Sequence, residues 1–174
     1  MQVILYTLPD GKVCRIRHFC RQDGSYSTGI QRRLDEGMPL ADVIADAAER
    51  NMPDGATWRL IDMADLPPGP VPDSYDKTFY AALRCQGRGK RVTVDMVEAR
   101  NIWRDKLRQA RAPLMARLDI EQKRALVAED RAEVSKIEAR LQALRDATAD
   151  PSIDAAKTPD DLKACWPEAL CHKP

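Results

Sequence analysis

The sequence predicts an α+β protein: a small N-terminal mixed α/β domain, then a C-terminal helical hairpin or long coiled-coil-like helices, then a short terminal helix. Three observations carry this. Two β-type runs flank a Pro-Asp-Gly turn near the start of the chain. From Asp95 onward the period changes, and apolar residues recur at steps of three and four. Charged residues make up 32% of the chain and aromatics only 5%, which suits exposed helices better than aromatic-lined pockets.

The first strand is Val3 to Leu8, followed by the turn Pro9-Asp10-Gly11-Lys12. The second run, Val13 to Phe19, alternates. Strict alternation puts Val13, Arg15, Arg17 and Phe19 on one face, and Cys14, Ile16 and His18 on the other. The two arginines predict that their face is solvated. A polar loop, Arg21 to Gly29, leads to a short helix over Ile30 to Glu36 with Gly37 as its C-cap. Pro39 to Arg50 reads as a second amphipathic helix, because Leu40, Val43, Ile44 and Ala47 share one stripe. Asn51 to Gly55 is a turn, and Thr57 to Met63 a third strand. The prolines of the run Asp65 to Pro72 remove donors and force an extended loop. Asp76 to Leu83 predicts a turn or two of helix, Gln86 to Lys90 a basic glycine turn, and Val92 to Val94 a short strand or extended lead.

The long helix starts at Asp95, an N-cap with Glu98 as its capping-box partner. Met96, Ala99, Trp103, Leu107, Ala110, Leu114 and Leu118 form a heptad-like seam. Pro113 interrupts it and predicts a kink. The helix runs to about Ala128, and a second begins near Asp130 with Val134, Ile137, Leu141 and Leu144 on one stripe. Each stripe is narrow and needs a partner. Folding back as an antiparallel hairpin supplies one, and self-association as a coiled coil is the rival. Asp150-Pro151 stops the second helix. Thr158-Pro159-Asp160-Asp161 starts a last short one, which Trp166-Pro167 follows. The domains expected are 1–66 (α/β), 67–91 (a Pro/Gly-rich linker with a short helical turn), 92–148 (helical hairpin) and 149–174 (short helix and tail).

Composition also bounds function. At 174 residues there is room for one ordinary domain or two small ones. A formal charge of +1 gives no global field toward nucleic acid or anionic membrane, so neither is an expected partner. There is no long apolar run, and the start lacks the pattern of a signal peptide, so a protein made in a cytoplasm is expected. The odd count of cysteines (Cys14, Cys20, Cys85, Cys165 and Cys171) argues against a disulfide framework.

Three constellations bear on chemistry. Gln86-Gly87-Arg88-Gly89-Lys90 has glycines and bases, but no Gly-Lys-Ser/Thr and no βαβ frame, and reads as a flexible turn. The basic stretch Arg84 to Arg91 reads as a solvated loop. Cys14, His18, Cys20 and Cys85 are the residues that a metal would take. Cys14 and Cys20 miss the paired spacing of zinc sites, and no metal or other cofactor is expected. His18 and His172 are the only histidines, no nucleophile or metalloprotease frame appears, and an enzyme is not expected.

The C-terminal half resembles a family of small proteins encoded beside tail-fibre genes in tailed bacteriophages and prophages. The residues that carry the resemblance are Val92-Thr93-Val94-Asp95-Met96-Val97-Glu98-Ala99-Arg100, Arg108-Gln109-Ala110-Arg111-Ala112-Pro113, Leu118-Asp119, Leu144-Arg145-Asp146-Ala147-Thr148, Pro151, Ile153-Asp154-Ala155-Ala156, Thr158-Pro159-Asp160-Asp161-Leu162 and Trp166-Pro167. The Leu-Arg-Asp…Trp-Pro ending is also similar to the end of tail-fibre assembly chaperones. The N-terminal half is similar more loosely, through Asp62-Met63-Ala64-Asp65-Leu66-Pro67 and residues 73–82, where Phe79-Tyr80 stands in place of a tryptophan. The resemblance implies a non-enzymatic tail protein, an adaptor of the tail fibre or baseplate. It would be made in the bacterial cytoplasm, located in the virion tail, and expected to be a homo-oligomer. One alternative is an assembly chaperone that is not kept in the virion. Another is a metal-binding regulatory module using the cysteine–histidine set. The interface residues expected are Trp103, Leu107, Ala110, Leu114, Leu141 and Leu144 for helix packing, and Trp166 as a core plug or an anchor.

Overall fold

The structure is a computed structural model that describes residues 2–19, 25–67, 77–85 and 91–171. The chain forms two compact units, Met1–Asp95 and Met96–Pro174. The architecture is α+β, with a small sheet domain first and helices from there to the C-terminus.

In the first unit, β1 (Gln2–Thr7), β2 (Val13–His18) and β3 (Thr57–Asp62) make an antiparallel sheet in the order β2-β1-β3. The central strand is apolar without a break, and Val3, Ile4, Leu5 and Tyr6 are all fully buried. Such a run suits a strand covered on both faces. Val3 and Leu5 face a core of Val13, Met63, Leu66, Leu83, Cys85 and Val92. Ile4 and Tyr6 face a second core, to which α1 (Thr28–Asp35) contributes Ile30, and α2 (Leu40–Glu49) contributes Val43, Ile44 and Ala48. The buried Tyr6 hydroxyl donates to the Ala48 carbonyl at 3.0 Å, which fixes α2 on the sheet.

Turn chemistry sets the connections. Gly11 takes φ +81° in the β1–β2 turn. There the Gly11 amide donates to Leu8, and the Leu8 amide to Lys12, both at 2.9 Å. Gly37, at φ +86°, ends α1. Its amide donates to the Leu34 carbonyl and the Met38 amide to the Arg33 carbonyl, the paired bonds of a Schellman cap.

Strict alternation fails in β2. Thr7 pairs with Val13 but Tyr6 with Arg15, so Cys14 is an extra, bulged residue. The bulge sends Val13 to the Val3–Leu5 core, while Cys14 and Phe19 pack with the Ile4–Tyr6 core. Arg15 and Arg17, opposite Tyr6 and Ile4, therefore lie on the side that α1 and α2 cover, where Arg15 stays exposed as expected and Arg17 is half-buried.

Residues expected to link the domains belong to this unit. Phe79, Ala82, Leu83 and Cys85 are buried. A single 3-10 turn, Tyr80–Ala82, stands where a turn or two of helix was expected. It runs into β4 (Leu83–Arg84), which pairs antiparallel with β5 (Thr93–Val94). The Cys85 amide donates to the Gly11 carbonyl at 2.7 Å, tying this ribbon to the first hairpin turn. The unit thus extends to Asp95, well beyond residue 66. Residues 68–76 of the proline-rich stretch and the turn Gln86 to Lys90 lie outside the described residues.

The second unit opens with α3 (Met96–Val127), 32 residues long, which stays one helix through Pro113. α4 (Arg131–Asp146) folds back on it. Asp130 caps α4 by accepting from the Glu133 amide at 3.0 Å. α3 itself ends in a Schellman cap: the Asp130 amide donates to Ala125 and the Glu129 amide to Leu126. The left-handed position of this cap, φ +54°, is held by Glu129 rather than glycine.

Asp150-Pro151 stops α4 and also starts α5 (Pro151–Ala155), a short helix absent from the sequence reading. Asp150 accepts from the Ser152 amide at 2.8 Å, with proline at the first helical position. α6 (Pro159–Ala164) begins as expected, and Thr158 and Asp161 make a reciprocal capping box. Among the described residues no helix is long and apolar enough to cross a membrane.

Candidate interaction sites

The helical seam closes within the chain. Trp103, Leu107, Leu141 and Leu144 are buried, Ala110 is half-buried, and Leu114 packs against a cluster of Leu118, Ala125, Ile137, Leu141 and Leu144. Of the two arrangements open to the sequence, the hairpin is the one formed, so these side chains serve intrachain packing. The first turns of α3 receive the C-terminal segment. Arg100 donates to the Ala156 carbonyl at 2.8 Å, and Arg104 pairs with Asp154 at 2.6 Å. Arg111 donates to the Leu144 and Arg145 carbonyls, both at 3.0 Å, and so caps the last turn of α4 with a cation.

Trp166 stands between its two expected roles. It is 36% exposed and packs edge-on against Trp103, with ring centroids 5.7 Å apart. One edge plugs the unit and the other meets solvent.

The hairpin tip leaves apolar surface open. Leu126 is 57% exposed and Val127 87%, with Ile120 two turns back at 53%. Beside them is a shallow depression of about 480 Å³ bordered by Ala125, Leu126, Glu129, Arg131, Val134, Ser135 and Glu138. Apolar residues adjoining at a hairpin tip, with charged groups at the rim, are the usual build of a protein contact. Sequence reading missed them because it followed the seam. The adjacent apolar pair Leu126-Val127, at the end of an otherwise charged stretch, was the available signal.

The first unit holds a cavity of about 310 Å³ between the sheet and α1–α2. Among the described residues its apolar lining is Ile4, Phe19, Ile30 and Val43, and Arg17, Arg32, Arg33 and Arg50 border it with one carboxylate, Asp46. Asp46 takes both Arg33 and Arg50. The hydrogen bond from Arg33 holds its carboxyl below the usual carboxylate value; burial opposes this, and Arg50 reinforces it. Arg17 Nη1 is buried without a hydrogen-bond partner. A buried donor left unpaired costs about 1–3 kcal/mol. Asp46 and Arg50 are four apart on one helix and so were legible, but no local pattern joins Arg17 or Arg33 to them.

The cysteine–histidine set is not gathered. Cys14 packs with the Ile4–Tyr6 core and Cys85 is buried in the Val3–Leu5 core, on opposite faces of the sheet. His18 is exposed at the end of β2, and Cys20 lies outside the described residues. Among the described residues no three His, Cys, Asp or Glu side chains are placed to hold a metal ion. Arg84, at the start of the basic stretch, pairs with Asp95 at 3.3 Å. Cys165 and Cys171 each donate to a carbonyl one turn back, of Asp161 and Pro167, and His172 is outside the described residues.

Comparison of the chain with protein-family models, with curated proteins and with solved structures found no match.

Proposed function

We propose that this chain is a non-enzymatic structural adaptor that acts by protein–protein packing, and that its partner is a tail-fibre or baseplate protein of a tailed phage. The observation that carries the packing role is the hairpin tip, where Leu126 and Val127 stay exposed although the seam beside them is closed. A capped helical hairpin is a stiff arm, and burying two such side chains in a partner contributes about 1.5–3 kcal/mol each. The choice of partner rests on the resemblance of residues 92–113 and 144–167 to proteins encoded beside tail-fibre genes. Because the seam is used within the chain, association between copies would draw on the outer surface.

The test is co-expression with the tail-fibre protein that this reading expects to be encoded next to the chain, pull-down, and mass spectrometry of purified particles. The expected result is a complex with the fibre and the chain present in particles. The double variant Leu126→Glu, Val127→Glu should lose the complex while keeping its helical circular dichroism. Binding without retention in particles would move the role to an assembly chaperone. Failure to bind fibre or baseplate protein would overturn the partner, and a complex untouched by the double variant would overturn the tip as the contact.

A further inference from the structure

We propose that the cavity between the sheet and α1–α2 is an anion site that takes a small organic phosphate monoester. Four observations converge. The cavity is about 310 Å³, at the small end of ligand pockets, and roomier than a bare oxyanion needs. Among the described residues its charge is unbalanced, with four arginines against the single carboxylate of Asp46. That carboxylate is already engaged by Arg33 and Arg50. Arg17 holds a buried, unpartnered Nη1 in the same wall.

The geometry of Arg17 follows from the fold. The bulge at Cys14 turns Arg17 to the face that α1 and α2 cover, where it sits opposite Ile4. A guanidinium cannot shed its proton to relieve burial, so a buried N–H is relieved only by an acceptor. A phosphate oxygen is a strong one, and guanidinium forks match phosphate with two parallel bonds. Arg32, on the rim, is 77% exposed and makes only a 3.5 Å pair with Glu36, so its charge remains largely free to serve an anion. Arg17 and Arg32 together match the two charges of a monoester, whereas a monocarboxylate balances one. The floor of Phe19 and Ile30, which keep 6% and 8% of their surface open, suits an apolar group attached to the phosphate. The site is independent of the hairpin tip and does not rest on the adaptor reading.

The experiment is isothermal titration of the full chain with phenyl phosphate, inorganic phosphate and benzoate at fixed ionic strength. Phenyl phosphate should saturate at one site, with inorganic phosphate weaker and benzoate weaker still. Arg17→Met should weaken phenyl phosphate by about tenfold or more, the scale of a lost charged hydrogen bond. Arg117→Gln, a surface change in the helical unit, should leave it unchanged. Circular dichroism verifies the fold of each variant. Should Arg17→Met not fold, Arg32→Gln, at an exposed position, is expected to weaken binding several-fold. Unsaturable heats, equal affinity for benzoate, or full affinity in a folded Arg17→Met or Arg32→Gln protein would each overturn the proposal.

Discussion

The two units bury apolar surface by different routes. In Met1–Asp95 the core is assembled from residues far apart in the chain: β1 pairs with β3 across some fifty residues, and Tyr6 reaches Ala48 through its hydroxyl. In Met96–Pro174 the core follows α3, whose side chains three and four apart meet a matching stripe on α4, with Ile153 of α5 and Leu162 of α6 buried as well. The non-local unit encloses a charged cavity, and the local one leaves its apolar residue at the outer end. A sheet covered on both faces traps whatever its strands carry, whereas a helical hairpin has a solvated back and tip. The contrast repeats in miniature at two Schellman caps. Gly37 holds the left-handed position after α1, where Glu129 holds it after α3.

The largest test of this contrast is core truncation. Leu5→Ala in β1 and Leu141→Ala in the seam should each cost about 2–5 kcal/mol in urea denaturation. Leu141→Ala should remove helical signal, while Leu5→Ala should remove sheet. Unchanged stability in Leu141→Ala would mean that the seam does not hold the hairpin. Pro113→Ala restores a donor inside α3, and should raise the midpoint of helix melting by an amount equivalent to at most about 3 kcal/mol. No gain would show that the Gln109 carbonyl has another partner. The caps give a reciprocal pair. Gly37→Ala places a side chain in the left-handed region and should lower stability by about 1–2 kcal/mol, although nothing lies within 4 Å of the added carbon. Glu129→Gly should raise stability by about 1 kcal/mol.

Acid is the smallest effect. Asp46, Asp150 and Asp161 have folded-state pKa values below the ordinary value of 3.8. The causes are the hydrogen bond from Arg33, the Ser152 amide, and the bond with Thr158, respectively. A lowered folded pKa means that the unfolded chain takes up the proton first. The contribution is therefore complete above the ordinary carboxylate value and is lost as pH falls through the folded one. Two of the three groups start α5 and α6. Helical signal near the C-terminus should then fade below about pH 4, and Thr158→Ala should shrink that pH dependence.

What was legible in the sequence follows from distance along the chain. Residues within four positions on a helix touch whatever the rest of the molecule does, so the two stripes, the Thr158–Asp161 box and the Gly37 cap were readable as they stand. The same locality makes α5 a misreading and not a hidden feature, because Asp150-Pro151 is a start signal as well as a stop.

The sequence alone thus determined the α+β class, the strands of the first hairpin, the long helices, and the caps at Gly37 and Thr158. Only the tertiary structure decided that the seam closes within one chain, that residues 79–85 and 91–94 belong to the sheet unit, and that Cys14 and Cys85 stand on opposite faces. It also decided that Arg17 is turned toward a covered face. One bulged residue inverts the parity of a strand, and a bulge shows only in the register against a partner strand. The arginine set around Asp46 comes from β2, α1 and α2, and no local rule brings those three elements together.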